Sequence, residues 1–325
     1  MPDWRRLQRD LTELGGAGAE VLEVSATAPA PAAAGVVRIG VHREGPLPSD
    51  GLDGFDVLLT AVADAPAPWV GVDDVDAGAA ELVRRTDEQP AAAAIAAQVM
   101  RATLKLSFAE ALTLESLSYS MLLGSEGFGR WRGANPPRNR PPDEGPRVSL
   151  EVGDAQITIK LSRPASRNAF DARMRDELSE ALAFAQDHPD QPPVLLCGDG
   201  PAFSAGGDLD EFGKATDPGF AHLIRTLRSP ARQVNALGAR ASARLHGACV
   251  GAGIEVPAAA ARVTGRAGAF FRLPEVAMGL IPGAGGTASI PRRIGRHRAA
   301  YMSLSGADID LATALAWGLV DAEDA

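Results

Sequence analysis

HGACVGAGIEV, residues 246–256, carries the pattern on which the fold turns. An apolar strand-like run enters a turn dense in glycine at Gly251 and Gly253, and the chain leaves it along a helical pattern with Glu255 just inside. AFSAGGDLDEF, residues 202–212, repeats the arrangement after a short apolar strand at Val194–Cys197. Strand, helix and strand recur through residues 243–290. Repeated β then α units predict an α/β fold rather than an all-α bundle.

Upstream of these turns the hydrophobic period is two. Val148, Leu150 and Val152 alternate, Gly153-Asp154 turns, and Ile157, Ile159 and Leu161 alternate again, which predicts a β-hairpin. A helix follows with Met174, Leu178, Ala181, Leu182 and Ala185 on one stripe. Before the hairpin, GANPPRNRPPDEGP at 133–146 mixes prolines with charges and reads as an extended linker. It divides an N-terminal extension, 1–132, from a core at 147–325. In the extension, residues 24–34 read as a loose connector, and strands are predicted at Val36–Val41 and Val57–Val62. Residues 79–132 are helical in pattern: Ser107 and Glu110 form a capping box, Leu114, Leu117 and Met121 line one face, and Gly124 stops the helix.

A chain of 325 residues, 46% hydrophobic, can bury one large core or two modest ones. Its formal net charge of −9 gives no basic footprint and argues against nucleic acid as the main partner. The two cysteines, Cys197 and Cys249, sit in apolar stretches and read as buried thiols. MPDWRRLQRDLTELGG lacks the apolar region of a signal peptide, and AAAAIAAQVM is half a membrane span. A soluble, cytoplasmic protein without membrane contact is expected.

The glycine turns matter chemically because helix N-termini expose unpaired N–H groups, and two aimed at one point stabilise negative charge generated there. Glu255 and Glu275, the latter in FFRLPEVAMGLIPGAGG, have apolar neighbours. Burial without pairing raises a carboxyl's pKa, which suits an acid/base catalyst. Other readings fall away. The segment at 202–206 lacks the first glycine of a nucleophile elbow, and Val256 stands where a dinucleotide loop needs glycine. None of the five histidines shows metal-ligand spacing, so no metal is expected.

Taken together, LSRPASRNAF (161–170), PAFSAGGDLDEF (201–212), HGACVGAGIEV, FFRLPEVAMGLIPGAGGTASIPRRIG (270–295) and LSGADIDLATALAWGLVD (304–321) resemble, in order, segments of the enoyl-CoA hydratase/isomerase, or crotonase, superfamily. The resemblance implies a ββα superhelix core, here with a mainly helical N-terminal extension. It further implies backbone N–H donors at Ala205 and Ala252 for a thioester oxygen, paired acid/base carboxylates at Glu255 and Glu275, and room for a water beside Gly283. Arg167, Asn168, Ala169, Asp208 and Leu209 match the family's approach to coenzyme A. The implied reaction is reversible hydration of a 2-enoyl-CoA, with coenzyme A entering as part of the substrate and no separate cofactor. Isomerisation, decarboxylation, hydrolysis and cofactor-independent oxygenation are alternatives within the family, and a non-catalytic acyl-CoA-binding subunit is an alternative outside catalysis.

Family members usually continue past the position matching Asp321 into helices that close the site and build trimers. Residues 79–132 are similar to that C-terminal region, so the extension is expected to supply the missing closure. A homo-oligomer, trimer or hexamer, is also implied.

Overall fold

Alternating Val148–Val152 and Ile157–Leu161 form the expected antiparallel hairpin, with Val148 opposite Leu161 and Val152 opposite Ile157. In a computed structural model describing residues 18–25, 29, 35–138 and 144–324, this hairpin edges a six-stranded sheet. Numbering strands along the chain, the sheet contains β5 (Val148–Val152), β6 (Ile157–Leu161), β7 (Val194–Gly198), β8 (Ala241–Leu245), β10 (Arg262–Arg266) and β13 (Ala322–Asp324), in spatial order 13-10-8-7-6-5. All pairs but the hairpin are parallel. A second, three-stranded sheet pairs β11 (Phe270–Arg272) with β9 (Ala248–Val250) and β12 (Ile309–Asp310). It carries the Gly251 turn and Glu275 to one place, because β9 ends at the turn bearing Gly251 and β11 leads into Pro274-Glu275. The predicted stripe of Met174, Leu178, Ala181, Leu182 and Ala185 is buried on the helix Ala172–Asp187. Both cysteines are free and buried.

The N-terminal segment holds more than helices. Strands β1 (Gly18–Glu23), β2 (Val36–His42), β3 (Val57–Thr60) and β4 (Val70–Gly71) form a four-stranded parallel sheet in chain order. The predicted strands at 36–41 and 57–62 correspond to β2 and β3, whereas most of the predicted connector at 24–34 lies outside the described residues. Four helices follow: α1 (Val75–Glu88), α2 (Pro90–Thr103), α3 (Phe108–Leu123) and α4 (Glu126–Ala134). Of the expected linker at 133–146, residues 139–143 lie outside the described set. One continuous apolar core joins Leu82, Met100 and Leu122 of this segment to Leu161, Phe271 and Ile290 of the other.

Helix α3 begins as expected: the Ser107 hydroxyl accepts from Glu110 N–H, the Glu110 carboxylate accepts from Ser107 N–H, and Gly124 ends the helix. Its packing is reversed from the apolar pattern. Leu117 and Met121 are 52% and 60% exposed, while Ala111, Leu112, Glu115, Ser116 and Ser120 are buried. A helix that buries a glutamate and three serines while Leu117 and Met121 stay exposed must find hydrogen-bond partners for its polar groups. Those partners lie at the candidate active site.

No helix among the described residues is long and apolar enough to cross a membrane.

Candidate active site

Gly251 is the pivot. Its backbone, at φ 49° and ψ −122°, is one that an L side chain adopts only under strain, and it caps the short helix Ala252–Glu255. A Cβ at this position would stand 2.5 Å from Glu275 Oε1 and 3.7 Å from Glu255 Oε1. Two carboxyl oxygens therefore converge on the face that glycine leaves bare. Both glutamates are buried, as the sequence predicted.

Their surroundings differ. Glu255 Oε2 accepts from the N–H groups of Ala284 (2.7 Å) and Gly286 (2.9 Å). Glu275 Oε2 is buried without a hydrogen-bond partner. Burial pushes both carboxyls above the ordinary range; the amide bonds oppose this at Glu255, whereas the Glu255 charge adds to it at Glu275.

A third carboxyl stands behind them. Glu115 of α3 accepts through Oε1 from Gly285 N–H (2.7 Å) and through Oε2 from Thr287 N–H (2.8 Å) and the Thr287 hydroxyl (2.7 Å). Glu255 thus takes the amides of residues 284 and 286, and Glu115 those of 285 and 287, at the start of the helix Gly286–Ile294. Unpaired N–H groups of a helix's first turn favour negative charge, so the two carboxyls occupy one anion-binding end. Burial, then the nearby Glu255 charge, raises the pKa of Glu115. Sequence reading missed Glu115; the signal was its place in a small, polar stripe with Ser116 and Ser120.

One helical turn along α3, Tyr119 covers Gly283. A Cβ at 283 would lie 2.4 Å from the tyrosine Cδ2, so the absence of a side chain there makes room for the aromatic ring. Gly283→Ala is expected to lower stability by about 1–3 kcal/mol through overpacking. In thermal unfolding the double variant with Tyr119→Ala should lose less than the two single losses combined, because the clash disappears with the ring. Equal additive losses would separate the two residues.

Tyr119, Leu123, Phe170, Phe212 and Ile224 help enclose a cavity of about 530 Å³ that Ala252, Glu255, Glu275 and Gly283 also line. The helical N-terminal segment therefore contributes wall to the space in front of the paired glutamates.

The expected oxyanion donors fare differently. Ala252 lines the cavity, and its N–H has no acceptor among the described residues. Ala205 does not line it, and its N–H donates to the Arg167 carbonyl at 2.9 Å, which leaves nothing to offer a ligand. Gly207 takes that place: it lines the cavity and its N–H has no acceptor among the described residues. A Cβ there would meet the Phe212 ring at 2.5 Å, so glycine lets phenylalanine and backbone share the wall.

Of the five residues expected to approach coenzyme A, only Asp208 lies on the cavity wall, and its carboxylate is held by Arg163 Nη1 at 2.8 Å. Asn168 is fully buried as a staple: Oδ1 accepts from Arg163 N–H, while Nδ2 donates to the carbonyls of Asp199, Ala202 and Phe203. Arg167 is exposed at a positive φ of 50°, the Ala169 carbonyl accepts from Arg163 Nη1, and the Leu209 carbonyl accepts from Arg132 Nη2. These residues shape the loop around the cavity from outside it. Ser204, set aside as a nucleophile, spends its hydroxyl on the Asn168 carbonyl and Gly206 N–H.

With fold and site in view, residues 151–325 match the Enoyl-CoA hydratase/isomerase family, and the chain belongs to that family. It is 31% identical over 172 residues to the enoyl-CoA isomerase/hydratase fer4 of Mycosarcoma maydis, covering 50% of this chain and 63% of that protein. It is 32% identical over 168 residues to the 2,3-dehydroadipyl-CoA hydratase of Escherichia coli K12, covering 50% and 64%. The solved enoyl-CoA hydratase of Thermoplasma volcanium superposes with a TM-score of 0.51 at 30% identity, over 56% of this chain and 73% of that one. The chain thus spans less than two thirds of the length of these curated relatives.

Proposed function

We propose that this enzyme reversibly adds water across the double bond of a 2-enoyl-CoA. The observation that carries the reading is the convergence of Glu255 and Glu275 on the bare face of Gly251, in the cavity where the Gly207 and Ala252 amides stand free. Two amides favour the ionised form of Glu255, and the unpartnered burial of Glu275 favours its acid form. Glu255 accordingly takes a proton from water as its oxygen bonds to the β carbon. Electron density moves to the thioester oxygen, where the Gly207 and Ala252 N–H groups hold the enolate. The Glu275 proton then goes to the α carbon, and the protons redistribute between the two carboxyls before the next turnover.

In this reading α3 closes the acyl end of the cavity with Tyr119 and Leu123, the task that the sequence resemblance gives to C-terminal helices. The test is loss of conjugated-thioester absorbance on mixing the enzyme with aliphatic and aryl 2-enoyl-CoAs. Hydration of at least one is expected; silence across the panel with acyl-CoA binding intact would transfer the reading to another reaction of the family.

A further inference from the structure

Beyond Tyr119 the cavity meets an arginine with two donor nitrogens left open. Arg225, near the end of the helix Pro218–Leu227, sets its guanidinium carbon 4.6 Å from the Tyr119 ring centroid. Only Nη1 is engaged, donating to the Ser116 carbonyl (3.2 Å), the Ser116 hydroxyl (2.9 Å) and the Ser120 hydroxyl (3.0 Å). Nε and Nη2 have no acceptor, and no carboxylate lies within 4 Å of the group, among the described residues.

The other cations of the cavity wall are answered. Arg175 pairs with Asp176 at 2.8 Å, Arg228 with Glu180 at 3.0 Å, and Lys214 is exposed to water. Arg225 is half-buried, and burial works against its charge. Serine oxygens answer Nη1 and the Glu115 charge supports the group, so what stays open is the hydrogen-bonding capacity of Nε and Nη2, which an anion entering the cavity would use. Nε and Nη2 form the side of the guanidinium that matches both oxygens of a carboxylate. Arg225 also borders a smaller cavity of about 80 Å³, which it shares with Ser116, Ser229 and Arg232.

Position assigns the anion to the substrate's acyl end. Gly283 neighbours Ala284, whose amide binds Glu255; Tyr119 covers Gly283; and Arg225 stacks on Tyr119. An acyl chain leaving the paired glutamates along this ring arrives at Arg225. We infer that the acyl group ends in a carboxylate, received by Arg225 Nε and Nη2, so that the preferred substrates are thioesters of dicarboxylic acids. This rests on the reading of the cavity as an acyl-CoA site.

Binding of saturated thioesters separates the inference from the chemistry, because these cannot be hydrated. Calorimetry would compare straight-chain acyl-CoAs of four to eight carbons with counterparts of equal length ending in a carboxylate. The expected Kd ratio in favour of the acid, at the best-fitting length, is about 10–100-fold in the unaltered enzyme, the range for a charge-assisted hydrogen-bonded pair. It should fall to within about threefold of unity in Arg225→Met and lie between in Arg225→Lys. Loosening of α3 by loss of the serine bonds would weaken both ligands and leave the ratio unchanged. A ratio at or below one at every length, or one that survives Arg225→Met, overturns the inference while the acyl-CoA site stands. Failure of every acyl-CoA to bind overturns both.

Discussion

Glu275→Gln is expected to reduce turnover of a 2-enoyl-CoA by about 10²–10⁴-fold, the usual contribution of a positioned general acid or base, with little change in affinity for the saturated thioester. Substitution is nearly isosteric and leaves the Gly251 turn undisturbed, since Glu275 Oε2 has no partner to lose. Glu255→Gln should cost a comparable factor, but with a structural component. The amide nitrogen of Gln must face either the cavity or the N–H groups of Ala284 and Gly286, and only the first orientation keeps those bonds. Stopped-flow absorbance for turnover and calorimetry for binding distinguish the effects. Undiminished turnover in either variant would remove that residue from the acid/base pair.

Glu115→Ala should be the most destabilising of the substitutions considered, by about 2–5 kcal/mol in urea unfolding. Three donors, Gly285 N–H, Thr287 N–H and the Thr287 hydroxyl, would be left in the interior with no acceptor. The companion variant Glu115→Gln reports on charge. Burial raises the native pKa of Glu115 above its ordinary 4.5. Above that value the unfolded chain releases a proton that the native protein retains, so the native state binds more protons and stability falls as pH rises toward the native pKa. Glu115→Gln removes this share, and the decline should become shallower by up to about 1.4 kcal/mol per pH unit. An unchanged slope would mean that Glu115 is ionised throughout.

Much of this was legible in the sequence because it depends on local rules. Alternation placed the hairpin at 148–161, spacing placed the buried stripe of the helix at 172–187, and glutamates among apolar neighbours marked Glu255 and Glu275. What escaped depends on partners distant in the chain. Leu117 and Met121 look like core until the surface opposite α3 is known, and that surface, lined by free amides, selects Glu115 and Ser116 instead. In the same way, small residues at 205–207 announce a close approach of backbone, but which amide is spent internally is decided by the Arg167 carbonyl. Asn168 lies in a segment resembling a coenzyme A approach, yet three carbonyls surround its amide and make it a staple.

The bond from Glu115 to Gly285 joins residues 170 positions apart, and it sets an order of events during synthesis. Helix α3 emerges from the ribosome long before the amides that its glutamate serves, and until residues 285–287 appear its polar stripe has no counterpart. The site cannot be assembled progressively from one end. Nor does the stretch that matches the family, 151–325, contain every acceptor its own helix needs. The two halves are therefore joined as a lock and its keeper are, and separating them would leave an open helix end beside the cavity that Glu255 and Glu275 line.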